Sequence, residues 1–198
     1  MLGGAGGYDT KEIIHLADEM RKAGATGLLS VTPYYNKPTQ EGLFQHFRAI
    51  ADSTPLPVIV YNVPGRTGVN VETATLARLS AIPNIVGVKE ASGNITQMAD
   101  VCNAVPDDFL VLSGDDAITL PLMALGGRGI ISVASNEIPR EMAQMVEAAE
   151  RGDFAAARAI HRRILPLMQI NFVESNPVPV KAAMAAVSKA RSASARSR

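Results

Sequence analysis

Cysteine is almost absent from this chain of 198 residues, because Cys102 is the only one. A single cysteine excludes an intramolecular disulfide and a metal cluster built from several cysteines, and it is typical of a reducing compartment. Long hydrophobic runs are also lacking, since glycine, proline or a charged residue interrupts each of them. No run is long enough to cross a bilayer, and no signal peptide is recognisable. These absences predict a cytoplasmic protein without a membrane partner.

Net charge and aromatic residues are equally scarce. The 19 basic and 19 acidic residues cancel, tryptophan is missing, and aromatic residues make up 5% of the chain. A nucleic-acid surface or a base-stacking platform is therefore not indicated, and chemistry on small molecules is the better expectation. The histidines His15, His46 and His161 stand at no metal-ligand spacing, so we predict no metal site. We expect His46 and His161 to lie on helix surfaces.

Short apolar segments bounded by Gly, Pro or Asn alternate with segments of helical periodicity. Strands are predicted at 26–31, 57–61, 84–89, 109–112 and 129–133, with a remnant strand at 1–4. Helices are predicted at 39–52, 71–80, 94–104 and 116–125. The first helix begins after Asp9, which Glu12 follows at the capping-box spacing, and stops at Gly24. Such repeated units predict a parallel sheet with helices outside it.

A closed barrel and an open doubly wound sheet both satisfy this alternation. The glycines at 3–7 lack the spacing of a dinucleotide-binding turn, and polar residues follow several strands directly. We therefore predict an α/β fold of the (β/α)8 TIM-barrel type. Residues 1–135 are predicted to form a partial barrel and 136–188 a helical region with helices at 138–150, 153–171 and 177–188. The basic Ser/Ala/Arg segment 189–198 is predicted to be a disordered tail.

Lys89 is the first residue for which the sequence suggests chemistry. It comes at the end of an apolar strand, and lysine is rarely buried without a partner. Apolar walls lower the pKa of an ammonium group, and a neutral amine can attack a keto group to form a Schiff base. The alternative is a strand-end lysine that lays its stem on apolar surface and reaches water with its head. The segment by itself leaves both interpretations open.

Five segments extend this interpretation, and they stand at 32–38, 61–68, 86–93, 112–116 and 176–181. Together they resemble the dihydrodipicolinate synthase family of pyruvate-dependent class I aldolases over roughly residues 3–186. The resemblance implies a TIM barrel in which Lys89, at the end of the sixth strand, condenses with pyruvate without a cofactor. The resulting enamine would attack aspartate semialdehyde in lysine and diaminopimelate biosynthesis.

The resemblance also implies roles for five further residues. Tyr61 matches a proton-transferring tyrosine, and Tyr35 matches a tyrosine that a neighbouring subunit inserts into the same relay. Arg66 matches an arginine that holds the carboxylate of the second substrate. Gly114 and Ile131 match residues that line the cavity, Ile131 through its backbone carbonyl. This relay predicts a homo-oligomer, either a dimer or a dimer of dimers.

Each of these residues also has an interpretation without chemistry. Tyr61 could fill the barrel mouth, Tyr35 could pack in its loop or at a subunit contact, and Arg66 could be an exposed arginine on a turn. Gly114 and Ile131 could serve turn geometry and strand packing alone.

The chain also departs from the family pattern. Two strand-helix units expected ahead of the first helix are missing, together with a Gly-Thr-Thr-Gly-Glu loop that binds the pyruvate carboxylate. Because an incomplete barrel leaves sheet edges unpaired, we expect poor stability and little activity, and we expect a chain extended upstream to be active. The alternatives are another pyruvate-dependent aldolase of the N-acetylneuraminate lyase kind, against which Arg66 argues, and a non-catalytic fragment that retains only oligomer contacts.

Overall fold

Six parallel strands form a single sheet in the computed structural model, which describes residues 1–196. The strands are β1 (Leu2–Gly4), β2 (Gly27–Val31), β3 (Val58–Asn62), β4 (Ile85–Glu90), β5 (Leu110–Ser113) and β6 (Gly129–Ile130). They lie in chain order, and each is parallel to its neighbours. The predicted alternation of parallel strands and helices is therefore confirmed. Among the described residues, β1 and β6 do not pair with each other, so these six strands form an incomplete barrel, as the predicted partial barrel implies.

The helices lie close to their predicted positions. They are α1 (Thr10–Lys22), α2 (Gln40–Asp52), α3 (Pro64–Thr67), α4 (Thr73–Leu79), α5 (Ile95–Ala104), α6 (Thr119–Ala124), α7 (Pro139–Glu150), α8 (Phe154–Ile170) and α9 (Val178–Arg196). The short helix α3 was not predicted, and the helix predicted at 116–125 is divided into a 3-10 turn and α6. None of the described helices combines the length and apolar composition needed to cross a bilayer.

The start of α1 shows how local sequence determines an element. Asp9 is the N-cap, and its Oδ1 atom accepts hydrogen bonds from the backbone N–H groups of Lys11 at 2.8 Å and Glu12 at 3.3 Å. These bonds satisfy donors that a helix start leaves without partners. Gly24 follows the helix with a φ of 89°, a left-handed conformation that glycine adopts without steric cost. The predicted beginning and end of this helix are thus confirmed.

The sheet has one helix-facing side, which forms the main hydrophobic core. Val60, Val88 and Val111 occupy this side on three neighbouring strands, and they pack in one cluster with Leu43 and Phe47 of α2. Because side chains alternate along a strand, the residues after Val60 and Val88 point to the opposite side. The core therefore leaves the other side of the sheet free for polar residues that follow these valines.

A second hydrophobic cluster joins α6, α7 and α8. It contains Met123, Met145 and Met168, one from each helix, together with Ala134. The predicted boundary between a barrel region and a helical region at residue 135 stays a prediction, since this cluster includes residues on both sides of it.

The last helix extends beyond its predicted end near residue 188. Its backbone is helical to Arg196, so the disordered tail predicted from residue 189 is wrong for 189–196, and residues 197 and 198 lie outside the described residues. Alanine, lysine and arginine have high helix propensity, which explains why the basic composition continues a helix that has already begun.

His46 is buried, which corrects its predicted position on a helix surface. The residue is 5% exposed, and its ring packs edge-on against Phe47, with 5.2 Å between the ring centroids. The Nδ1 atom pairs with Thr10 Oγ1 at 2.8 Å, whereas Nε2 is buried without a partner among the described residues. His161 is partly buried, and its Nε2 atom pairs with the carbonyl oxygen of Ala117 at 2.9 Å.

The burial of His46 predicts a loss of stability in mild acid. Burial lowers the pKa of His46 to about 4, so the unfolded chain binds a proton that the folded chain does not bind between that pH and about 6.5. We expect the free energy of unfolding to fall by roughly 2 kcal/mol between pH 7 and pH 5 through this residue. His46→Leu removes the titration, and its urea denaturation should depend less steeply on pH than that of the wild type.

The exposed His15 supplies the control for this experiment. His15→Leu is expected to keep the pH dependence of the wild type. Equal pH slopes for the wild type and His46→Leu would contradict the burial of the neutral imidazole.

Candidate active site

Lys89 and Tyr61 are brought together by the register of two neighbouring strands. Tyr61 of β3 is the register partner of Lys89 of β4, and Lys89 is in turn the partner of Leu112 of β5. These residues lie on the side of the sheet opposite the helix-facing valines. The Nζ atom of Lys89 stands 4.2 Å from the centroid of the Tyr61 ring, which is a cation–π distance. The structure thus places side by side the two residues that were predicted to act on the same imine.

The surroundings of Lys89 disfavour its charged form. Burial lowers the pKa of the Lys89 ammonium, the Asp116 carboxylate raises it, and the Arg66 guanidinium lowers it. Burial also raises the pKa of the Tyr61 phenol, and the charge of Arg66 opposes this effect. A lysine whose pKa is lowered carries a larger fraction of neutral, nucleophilic amine near neutral pH, while the tyrosine stays a neutral phenol.

Gly114 lies directly against the Lys89 side chain. Its backbone N–H donates to the carbonyl oxygen of Glu90 at 2.8 Å, which fixes its position next to β4. A Cβ atom added at Gly114 would stand 3.1 Å from Lys89 Cε and 2.7 Å from the Cβ of Ala91. The predicted position of Gly114 in the cavity wall therefore has a steric basis, because only glycine leaves room for the lysine stem.

Ile131 follows β6 immediately, and its backbone N–H donates to the carbonyl oxygen of Ser113 at 2.9 Å. This bond extends the pairing of β5 and β6 by one step beyond the strand itself. β6 is separated from the strand of Lys89 by β5. The approach of the Ile131 carbonyl to the lysine stays a prediction.

Arg66 is exposed on the short helix α3, which follows β3 at the same end of the sheet as Lys89. Its Nη2 atom donates to the backbone carbonyl oxygen of Asn176 at 3.1 Å, so the turn after β3 contacts the segment between α8 and α9. The guanidinium also influences the pKa values of both Lys89 and Tyr61. A guanidinium near a reactive amine is suited to binding a substrate carboxylate, so carboxylate binding stays the prediction for this residue.

Tyr35 does not join this group within the single chain. Its side chain is 91% exposed, and its φ of 74° places a non-glycine residue in the left-handed region. An exposed tyrosine held in a strained loop conformation suits a contact made outside its own chain. Its insertion into the site of a neighbouring subunit stays a prediction.

Glu90 was not predicted as part of the site, although it is adjacent to Lys89 and fully buried. Its Oε2 atom accepts from Asn62 Nδ2 at 3.0 Å, and its Oε1 atom accepts from the backbone N–H of Ser92 at 2.6 Å. Asn62 Oδ1 accepts from the N–H of Val71 at 3.0 Å, and Asn62 Nδ2 also donates to Asn70 Oδ1 at 2.9 Å. These bonds join β4 to both ends of the loop that carries Arg66.

This arrangement predicts that Glu90 must accept hydrogen bonds with both of its oxygens. In Glu90→Gln, the new NH2 group faces one of the two groups that donate to Glu90, which are Asn62 Nδ2 and the backbone N–H of Ser92. Two donors then face each other, and a buried N–H is left without an acceptor. We expect the free energy of unfolding to fall by roughly 1–3 kcal/mol, as measured by urea denaturation. Glu72→Gln, at an exposed position beyond the same loop, is the matched control and should change stability by less than about 0.5 kcal/mol. Equal destabilisation by the two variants would refute the role of Glu90.

Asp116 is the second buried carboxylate that sequence reasoning missed, and it is 1% exposed at the start of the 3-10 turn after β5. It was predicted only as part of the segment 112–116. A usable signal exists in the sequence, because an acidic residue a few positions after an apolar parallel strand lies at the end of the sheet where ligands bind.

Known proteins resemble this chain over most of its length. A model of the dihydrodipicolinate synthetase family matches residues 1–197. The 4-hydroxy-tetrahydrodipicolinate synthase of Koribacter versatilis is 54% identical over 186 residues, which are 93% of this chain and 62% of that protein. The synthase of Archaeoglobus fulgidus is 50% identical over 184 residues, covering 93% of this chain and 64% of that protein.

Solved structures show the same correspondence. The structure of the 4-hydroxy-tetrahydrodipicolinate synthase from Methylacidiphilum fumariolicum SolV superposes with a TM-score of 0.92 at 46% identity, covering 93% of this chain and 62% of that one. The chloride-inhibited dihydrodipicolinate synthase from Acinetobacter baumannii, crystallised with pyruvate, gives a TM-score of 0.90 at 45% identity, covering 92% of this chain and 63% of that one. The chain spans less than two thirds of the length of these relatives. Because the family model matches nearly every residue, the chain belongs to the dihydrodipicolinate synthetase family.

Proposed function

We propose that the site around Lys89 catalyses the condensation of pyruvate with L-aspartate 4-semialdehyde to give 4-hydroxy-tetrahydrodipicolinate. Pyruvate is held as a Schiff base on Lys89 during this reaction. The observation that supports this most directly is Lys89 itself. Its ammonium is disfavoured by burial, and its Nζ atom stands 4.2 Å from the Tyr61 ring centroid on the polar side of the sheet. Relatives about half identical to this chain are 4-hydroxy-tetrahydrodipicolinate synthases, and the Acinetobacter baumannii structure contains pyruvate. The proposed location of this reaction is the cytoplasm.

The first proposed step is attack by the neutral amine of Lys89 on the keto carbon of pyruvate. The carbinolamine that forms loses water to give an imine, in which the nitrogen withdraws electrons from the pyruvyl methyl group. Loss of a methyl proton then gives an enamine, whose carbon attacks the aldehyde. Lys89 is released when the amino group of the second substrate displaces it and closes the ring.

Tyr61 is proposed to transfer protons in these steps. Its ring is adjacent to the Lys89 amine, and burial keeps its phenol protonated at neutral pH because it raises the pKa of the group. A neutral phenol can donate a proton to the departing hydroxyl of the carbinolamine and recover it afterwards. Tyr35 is proposed to extend this relay from a second subunit, which would make the active assembly a dimer or a dimer of dimers.

Arg66 is proposed to bind the carboxylate of aspartate semialdehyde. Its guanidinium is exposed at the end of the sheet where Lys89 stands, with one nitrogen already bonded to Asn176 and the other N–H groups available for a forked contact with a carboxylate. This assignment favours a short acidic aldehyde over a sugar as the second substrate.

Trapping with pyruvate and borohydride tests the proposal on the 198-residue chain. Reduction of the imine makes the adduct permanent, so peptide mass spectrometry should find a reduced pyruvyl group on Lys89. The rate of trapping should rise with pH and level off at a lower pH than for an exposed lysine, because the pKa of Lys89 is lowered. A folded sample without an adduct would rule out the enzyme and favour a fragment that retains only subunit contacts. Product formation with aspartate semialdehyde but not with sugar aldehydes decides between the two aldolase classes.

A further inference from the structure

The carboxylate of Asp116 binds a backbone segment that lies beyond the next strand. Ser132 Oγ donates to its Oδ1 atom at 2.5 Å, and the backbone N–H groups of Val133 and Ala134 donate to its Oδ2 atom at 3.2 Å and 3.0 Å. Asp116 stands at the start of the turn after β5, whereas its three donors follow β6. One buried side chain therefore ties together the two segments that leave the ends of β5 and β6.

The turn tied in this way forms a wall of the Lys89 site. Gly114, two residues before Asp116, is so close to the lysine stem that an added Cβ would stand 3.2 Å from Lys89 Cγ and 3.1 Å from Lys89 Cε. Ile131, just before Ser132, is bonded through its N–H to the carbonyl oxygen of Ser113. A displacement of Asp116 would therefore move the backbone that confines Lys89.

Asp116 also brings a negative charge to a site that otherwise disfavours the ammonium. The charged and titratable groups around this part of the fold include Lys89 and Glu90 on β4, Tyr61 on β3 and Arg66 on α3. Asp115 stands beside Asp116 in the same turn, and His161 on α8 is bonded to Ala117. Burial lowers the pKa of Lys89, Asp116 raises it, and Arg66 lowers it. The three donors to Asp116 are uncharged, so they hold its charge in place without neutralising it.

We propose that Asp116 is a positioning residue for the reaction of Lys89: its buried carboxylate clamps the segments after β5 and β6 around the lysine and keeps a negative charge at the end of the sheet where the amine reacts. This inference rests on the function proposed above. The clamp and the charge are two separable effects of a single side chain.

Asp116→Asn separates them, because asparagine can keep the clamp and lose the charge. Its carbonyl oxygen can accept from Val133 and Ala134, and its amide can donate to the hydroxyl of Ser132, which is able to accept. Asp115→Asn is the matched control, since Asp115 is the neighbouring carboxylate and its role as an acceptor from Ala117 N–H is kept by asparagine.

Competitive acetylation with acetic anhydride measures the free amine at Lys89 without any need for pyruvate. The extent of acetylation at Lys89 is followed from pH 5 to pH 11 by peptide mass spectrometry in the 198-residue chain. For Asp116→Asn we expect the titration of Lys89 to move to lower pH, with acetylation at pH 7 roughly three- to tenfold faster. For Asp115→Asn we expect the wild-type curve. Coincident curves for Asp116→Asn and the wild type would overturn the inference.

Ser132→Ala tests the clamp while the charge remains, and it also serves if Asp116→Asn does not fold. It removes one of the three donors, so we expect slower trapping of the pyruvyl adduct with an unchanged acetylation titration. Unchanged trapping would overturn the clamp.

If the wild type is acetylated normally but gives no pyruvyl adduct, the proposed function fails, and with it the role of Asp116 in that reaction. If the wild-type adduct forms while the curves coincide, only the inference about Asp116 fails.

Discussion

Replacing Lys89 by methionine is expected to abolish the pyruvyl adduct and, in a chain extended upstream, to lower condensation activity by at least about a thousandfold. Methionine is unbranched and of similar length, so it can fill the same space beside Tyr61 and Gly114. It has no amine, however, and no other lysine in the described residues pairs in register with Tyr61. The measurement is borohydride trapping followed by peptide mass spectrometry, with product formation as the second readout.

The stability of the Lys89→Met variant distinguishes loss of chemistry from loss of structure. Because burial disfavours the Lys89 ammonium, an apolar side chain of similar length should leave the free energy of unfolding equal or higher. Lys11→Met, at an exposed position on α1, is the matched control and should keep full adduct formation. An adduct that persists in Lys89→Met at the wild-type rate would show that another amine reacts with pyruvate.

The strands could be predicted because each is an apolar run with a clear beginning and end. The runs at 57–61 and 84–89 differ from β3 and β4 by one residue at each end. That Tyr61 and Lys89 meet required one further step, namely that the two strands are neighbours in the sheet. Neighbouring parallel strands end at the same edge, so their last residues meet when the register aligns them, as it does here.

The hydrogen bonds of Glu90 and Asp116 could not be predicted in the same way. Apart from the bond from Ser92 to Glu90, their partners stand 28 and 16 to 18 residues away along the chain, and no local pattern connects them. Asp116 also explains why β6 is shorter than the predicted strand at 129–133. The N–H of Val133 bonds to this carboxylate instead of to a neighbouring strand, so a β-favouring sequence leaves the sheet early.

The burial of His46, by contrast, was predictable. Leu43, Phe47 and Ile50 define the buried stripe of α2, and position 46 lies next to that stripe at helical spacing. The position of His46 on the helix therefore outweighs the polar character of its side chain. The hydrogen bond with Thr10 gives one of the two ring nitrogens of His46, Nδ1, a polar partner.

Replacing Gly114 by alanine is expected to slow adduct formation at least about tenfold, although the catalytic groups remain. The new Cβ would stand 2.7 Å from Ala91 Cβ and 3.1 Å from Lys89 Cε, both closer than carbon atoms pack. The 2.8 Å bond to Glu90 opposes a retreat of the Gly114 backbone, so Ala91 and the lysine stem have to move instead. Gly4→Ala, where an added Cβ meets nothing within 4 Å, is the control and should trap pyruvate at the wild-type rate. A Gly114→Ala variant that traps pyruvate as fast as Gly4→Ala would show that the lysine stem tolerates displacement, and the exact placement of the amine beside Tyr61 would then not limit the reaction.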